Sequence, residues 1–150
     1  MFRGVSSLSL DSKGRMVMPS RYRQKLQEMC DGQLIVTVDL DHCLMIYPLP
    51  EWDRIEAEIS ALPSLNPQAK KLKRLIVGHA TDVEMDGSGR LLIPPPLRGF
   101  AELDKHVVLI GQGAKFELWD ESLWSEKRDT WMDEDIDLSN LPSNMENLSF

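Results

Sequence analysis

Two short runs of this chain carry residues that could hold an anion. Asp11-Ser12-Lys13-Gly14-Arg15 returns 75 positions later as Asp86-Gly87-Ser88-Gly89-Arg90. In such a run the Asp carboxylate accepts backbone amides a couple of residues on, and Gly takes the positive φ that closes a tight loop. The Arg is not needed for the turn, yet it recurs with it. Its planar fork matches phosphate oxygens, or the O6 and N7 edge of a guanine in a major groove, which a two-stranded ribbon is narrow enough to enter. The first copy adds Lys13 inside the turn and Arg21, Arg23 and Lys25 beyond Pro19. Those three fall in the opening turns of the helix expected there, where each cation opposes the helix dipole by about 0.3–1 kcal/mol. A surface that carries this penalty is gathering positive charge for a partner. The competing reading, a plain hairpin with an Arg on a solvated strand, does not account for the recurrence or the clustering.

Other chemistry is thinly represented. His42, His79 and His106 are scattered, with no pair at zinc-ligand spacing, and Cys30 and Cys43 form no CxxC. Asp11 and Asp86 could be imagined as the carboxylate pair of a hydrolase, but each already has a turn to hold. No P-loop or nucleophile motif is present. The expectation is a protein that is not an enzyme, with no metal, cofactor or small-molecule substrate. The four tryptophans and eight methionines sit largely on apolar stripes and are expected in the core or between subunits. The basic stretch 67–77 reads as a solvated helix face.

The elements that must position these residues also come in duplicate. Residues 11–23 and 86–98 are identical at five of thirteen positions, and Leu44-Met45-Ile46-Tyr47 with Trp52 returns 72 positions on as Phe116-Glu117-Leu118-Trp119 with Trp124. The chain therefore reads as two copies of a unit of about fifty residues, too few for a solenoid. Each copy begins with a half-apolar strand (Val5, Leu8, Leu10; then Val83, Met85) that the turn joins, as a hairpin, to the strand Arg15–Met18 or Arg90–Ile93. Each of those strands ends at a proline, which cannot donate to a ladder. A short helix follows, with Tyr22, Leu26 and Met29 at helical spacing. The second hairpin is Leu34–Val38 with Leu44–Tyr47, and in the other copy Val107–Ile110 with Phe116–Trp119. The closing helix carries Trp52, Ile55, Ile59 and Leu62, or starts at Asp120 as N-cap and carries Trp124, Arg128 and Trp131. Between the copies, Asn66 as N-cap and Pro67 at the first helical position open a helix with the apolar stripe Ala69, Leu72 and Ile76. The expected organisation is a first domain at 5–51 with its closing helix to about 62, and a linker helix at 63–79. A second domain at 80–123, with its closing helix to about 132, is followed by an acidic, loosely attached tail at 133–150.

Net charge at first argues against a polyanionic partner. The 150 residues hold 17 Lys+Arg against 24 Asp+Glu, a formal charge of −7. The distribution reverses the inference: residues 1–25 carry +5, whereas 26–65 carry −7 and 117–150 carry −8. Local field governs an encounter with an anion more than the total does. No apolar run approaches the roughly 20 residues of a membrane span, and the start lacks the apolar core of a signal peptide. The expectation is a cytoplasmic protein with no membrane partner.

The Asp-x-x-Gly-Arg turn, an alternating apolar strand, a proline and a helix ending in Arg together resemble the AbrB-type (SpoVT/AbrB) swapped-hairpin unit. Two such units with Tyr47-Pro48-Leu49-Pro50-Glu51-Trp52 and Leu75-Ile76-Val77-Gly78-His79-Ala80 resemble the MraZ family from residue 1 to about 132. That resemblance implies a mainly β fold with short helices (α+β), its two units paired into a pseudo-twofold double-split β-barrel. It further implies a homo-oligomeric ring and a nucleoid-associated transcriptional regulator, generally a repressor. Such a regulator binds double-stranded promoter DNA at tandem repeats ahead of its own cell-division and cell-wall operon. DNA contacts would come from the turn region, which here means Lys13 and Arg15 first, then Arg21, Arg23 and Arg3, with Asp11, Gly14, Asp86 and Gly89 forming the turns. Arg90 comes last, because Ser88 replaces Lys13 and Pro96 stands opposite Arg21. The rival is an oligomeric interaction scaffold that binds no specific DNA.

Overall fold

Each copy folds in the same order, strand, turn, strand, helix, hairpin, helix. In the computed structural model, which describes residues 1–142, the first copy comprises β1 (Phe2–Ser9), β2 (Arg15–Val17), α1 (Ser20–Cys30), β3 (Gln33–Val38), β4 (Leu44–Pro48) and α2 (Leu49–Ser60). The second comprises β5 (Thr81–Glu84), β6 (Arg90–Leu92), α4 (Pro95–Phe100), β7 (His106–Gly113), β8 (Phe116–Asp120) and α5 (Glu121–Asp133). Between them α3 (Pro67–Leu72) passes into a π-helical turn at Lys73–Val77. Asn66 caps α3 by accepting the amides of Gln68 and Ala69 at 2.9 and 3.2 Å, and Asp120 caps α5 by accepting that of Leu123 at 3.2 Å.

The strands joined by each turn do not pair with one another, which corrects the local hairpin expected from the residues. Instead β1 pairs antiparallel with β7 of the other copy, β5 pairs with β3, and β2 pairs with β6. The result is the exchange of hairpin strands that the family resemblance implied. A six-stranded antiparallel sheet runs β1-β7-β8-β4-β3-β5, and the ribbon β2-β6 stands apart from it as a second sheet. A pseudo-twofold axis relates the copies through both sheets. In the ribbon it passes between Met16 and Leu91, with Arg15 opposite Leu92 and Val17 opposite Arg90. In the large sheet it passes between Met45 and Glu117, with Leu44 opposite Leu118 and Ile46 opposite Phe116.

The exchange is fixed by burial. Met16, Met18, Leu91 and Ile93 are essentially inaccessible and share one core with Leu44, Ile46, Phe116 and Leu118. At roughly 1.5–3 kcal/mol for each large apolar side chain buried, this common core leaves neither copy a complete fold of its own. Backbone bonds lock the crossover from both sides: Met18 N–H donates to Gly89 O at 2.7 Å, and Ile93 N–H to Gly14 O at 3.0 Å.

Some expected apolar positions lie elsewhere. Met29 is exposed on α1 beyond buried Tyr22 and Leu26. Leu62 lies past the end of α2, which stops at Ser60. Trp52 and Trp119 are core residues, Trp124 is half-buried and Trp131 is exposed. Of the expected tail, Asp133 still belongs to α5, and Leu138–Asn140 form a 3-10 turn held by the Asp137 carboxylate. The remainder of that expectation, at 143–150, lies outside the described residues.

Candidate nucleic-acid interface

Both turns are built as the residue types predict. Lys13 N–H and Arg15 N–H donate to Asp11 Oδ1, each at 2.9 Å, and Gly14 takes φ +83°. Ser88 N–H and Arg90 N–H do the same to Asp86 Oδ1, each at 2.9 Å, with Gly89 at φ +80°. Each carboxylate then returns to its own arginine: Arg15 Nε donates to Asp11 Oδ2 at 2.7 Å, Arg90 Nε to Asp86 Oδ2 at 3.2 Å. The bond from the following arginine's amide, first among several, holds both carboxyls below their ordinary range. Each aspartate is thus occupied by its own turn and arginine.

Nε of each guanidinium is spent on its aspartate, and among the described residues the terminal nitrogens make no hydrogen bond. Side chains alternate along a strand, so Met16 and Leu91 enter the core while Arg15, Val17, Arg90 and Leu92 form the ribbon's outer face. A doubly presented, pre-aimed arginine with a lysine beside it suits a phosphate backbone or a guanine edge. Lys13 is exposed on the first turn, and the ribbon itself has the width of a groove-reading element.

The remaining candidates separate into two groups. Arg23 lies across the second copy's turn: its Nε donates to Met18 O at 2.6 Å, and a Cβ added at Gly89 would fall 2.4 Å from that nitrogen. Arg98 lies in the same way across Gly14, where an added Cβ would meet its Cζ at 2.5 Å. These two arginines buttress the turns from behind, each in the opposite copy. Sequence reasoning passed over Arg98, although it is one of the five identities in the repeat. Among the described residues its Nε is the one buried side-chain nitrogen or oxygen without a hydrogen-bond partner. It borders a cavity of about 480 Å³ lined also by Leu10, Asp11 and Lys105, whereas the cavity beside Arg23 and Asp86 is about 210 Å³.

Arg21 is held on β1, with Nη2 donating to Ser6 Oγ at 2.6 Å and its guanidinium 4.6 Å from the Tyr22 ring centre. The Tyr22 hydroxyl in turn donates to the Arg3 carbonyl. Arg3 itself sits at the far end of β1, and at about 3.3 Å per strand residue that end is roughly 25 Å from the turn. The structure therefore puts Arg15 and Arg90 on one face of the ribbon with Lys13 exposed on the adjoining turn, sets Arg23 against the second turn, and leaves Arg3 and Arg21 along β1.

One group of potential metal ligands joins the copies elsewhere. Ligand atoms of Asp39, Cys43 and Glu117 lie within 4.8 Å of one another. Burial, then the neighbouring carboxylates, pushes the Cys43 thiol far up. Glu117 accepts from Trp119 Nε1 at 3.0 Å, and Asp39 from the Asp41 amide at 2.9 Å.

Comparison with known proteins places this duplicated frame. The model of one family, described as "MraZ protein, putative antitoxin-like", matches twice, at residues 1–75 and 76–140. The chain is 56% identical over 149 residues to the transcriptional regulator MraZ of Thioalkalivibrio sulfidiphilus, covering 99% of both chains. It is 60% identical over 134 residues to that of Methylococcus capsulatus, covering 89% of this chain and 88% of the relative. Against that of Halorhodospira halophila it is 54% identical over 151 residues, covering 99% of both. With two family matches in tandem, near-complete coverage and both turns intact, the chain belongs to the MraZ family.

Proposed function

We propose that this protein is a DNA-binding transcriptional regulator that sets the β2–β6 ribbon and its flanking turns against promoter DNA. The observation that carries the reading is the outer face of that ribbon, where Arg15 and Arg90 are aimed by Asp11 and Asp86 and Lys13 stands on the first turn. Lys13 and Arg15 make the principal contacts, and Arg90 a weaker one. Arg23 and Arg98 act as positioning residues that keep the turns in shape. Arg3 and Arg21 contribute long-range attraction from β1. No catalytic step is involved.

One chain sets few cations on the ribbon and its turns, so a single interface binds weakly and with strong salt dependence. Several copies in a homo-oligomeric ring, each presenting the same ribbon at fixed spacing, would engage tandem repeats together and raise the effective concentration at each later site. Exposed Trp131, Met132 and Ile136 at and beyond the end of α5 support contacts between copies. Bound ahead of its own cell-division and cell-wall operon, such a ring would exclude polymerase and act as a repressor.

The test is a titration of the DNA upstream of the gene over a salt series. Wild-type protein is expected to prefer that DNA to random sequence, and Arg15→Ala to lose the preference while keeping its oligomer size. Unchanged binding by Arg15→Ala would overturn the site, and equal binding to random DNA would favour the scaffold.

A further inference from the structure

The outer face of the ribbon holds four side chains, and two of them are apolar. Val17 is 44% exposed and Leu92 is 47% exposed, although both sit on strands whose other faces are sealed in the core. Isolated apolar residues are ordinary on a protein surface. These two are not isolated, because Leu92 lies directly across from Arg15 and Val17 directly across from Arg90. Each arginine is thus paired with an apolar side chain of the other copy, and the pseudo-twofold repeats the pairing at both ends of the ribbon.

Cross-strand neighbours have Cβ atoms about 4.5–5.5 Å apart, a little more than the roughly 3.4 Å rise between stacked bases. An arginine forked on a guanine edge therefore carries its apolar partner over the adjoining base pair. The one apolar group that base pairs present in the major groove is the thymine 5-methyl. We infer that Val17 and Leu92 are specificity-determining residues that read thymine methyl groups beside the bases contacted by Arg15 and Arg90. The inference rests on the DNA-binding reading above and adds a base class to it.

Uracil provides the test, since it differs from thymine by this methyl alone and leaves the phosphates unchanged. Upstream DNA is made with deoxyuridine in place of thymidine and titrated beside the thymine form. Wild-type protein is expected to bind the uracil form about three- to fivefold more weakly for each methyl group that it reads, with the same salt slope. The double variant Val17→Ala, Leu92→Ala should bind thymine DNA more weakly and no longer distinguish the two DNAs. Equal affinity of wild type for both DNAs would overturn the inference, as would an undiminished thymine preference in the double variant. In either of those outcomes a continuing requirement for Arg15 leaves the DNA-binding reading standing. Binding of upstream DNA no better than random DNA removes both.

Discussion

Around Asp11 and around Asp86 the chain builds the same turn from the same hydrogen bonds, but it equips the two differently. The first carries Lys13 where the second has Ser88, and Arg21 and Tyr22 follow where the second has Pro96 and Leu97. Arg15 is held by its aspartate at 2.7 Å and Arg90 at 3.2 Å. The cavity beside the first turn is more than twice the volume of the one beside the second. Even the axis is uneven, with Met45 facing Glu117 across the centre of the large sheet. Duplication therefore supplies a symmetric frame, while the charge that an anion would meet is concentrated on one side. Because β2 pairs with β6 and each turn glycine is covered by an arginine of the other copy, the copy with the less basic turn remains necessary as scaffold for the more basic one.

The largest effect should separate Arg15 from Arg90. Arg15→Ala is expected to weaken binding to upstream DNA by about 10–100-fold, the range for removing one bidentate arginine. Arg90→Ala should cost only a few-fold; equal losses would mean that both ends of the ribbon bind alike. Next come the turn glycines. Alanine at the φ of +83° and +80° found at Gly14 and Gly89 is strained by about 1–2 kcal/mol, and its Cβ would press into Arg98 or Arg23. Gly14→Ala and Gly89→Ala should therefore lower Tm by similar amounts in a thermal melt, although Gly14→Ala alone sharply reduces DNA binding. A smaller change is expected on moving charge between copies. Lys13→Ala should reduce affinity and lower the salt slope by about one for each phosphate released, and Ser88→Lys should raise both.

The smallest effect concerns the axis. Burial, first of all, pushes the Glu117 carboxyl above its ordinary 4.5, so the fold favours its protonated form. The stability from that carboxyl is fully present below the ordinary value and is lost as pH rises through the raised one. Glu117→Gln, which keeps an acceptor for Trp119 Nε1, should melt about 1–3 °C higher at neutral pH. That gain should vanish in acid; a gain of equal size at low pH would contradict the assignment.

What was legible in the sequence was mostly local. The Asp-x-x-Gly turns, the caps at Asn66 and Asp120 and the second hairpins depend on a few adjacent residues, and they formed as read. Strand exchange is not local: the bonds inside each turn are compatible with pairing to either neighbour, and only the shared core around Met16 and Leu91 decides between them. For the same reason nothing local showed that Arg23, bonded to Met18 O in its own copy, also lies against Gly89 of the other. Arg98 was visible as an identity in the repeat, but nothing short of the tertiary structure gives that identity a role. The π-helical turn at Lys73–Val77 had no sequence signal in a stretch whose apolar spacing fits an ordinary helix.

The proposed function sets the first turn against DNA. A photoactivatable aryl azide attached at Ser12→Cys, in a protein also carrying Cys30→Ser, reports this directly, since Ser12 is exposed and Cys43 is buried. The same group at Asp53→Cys on the exposed, acidic side of α2 serves as the reference. Efficient crosslinking to upstream DNA is expected from position 12 and none from position 53. Crosslinking from position 53 without crosslinking from position 12 would contradict it.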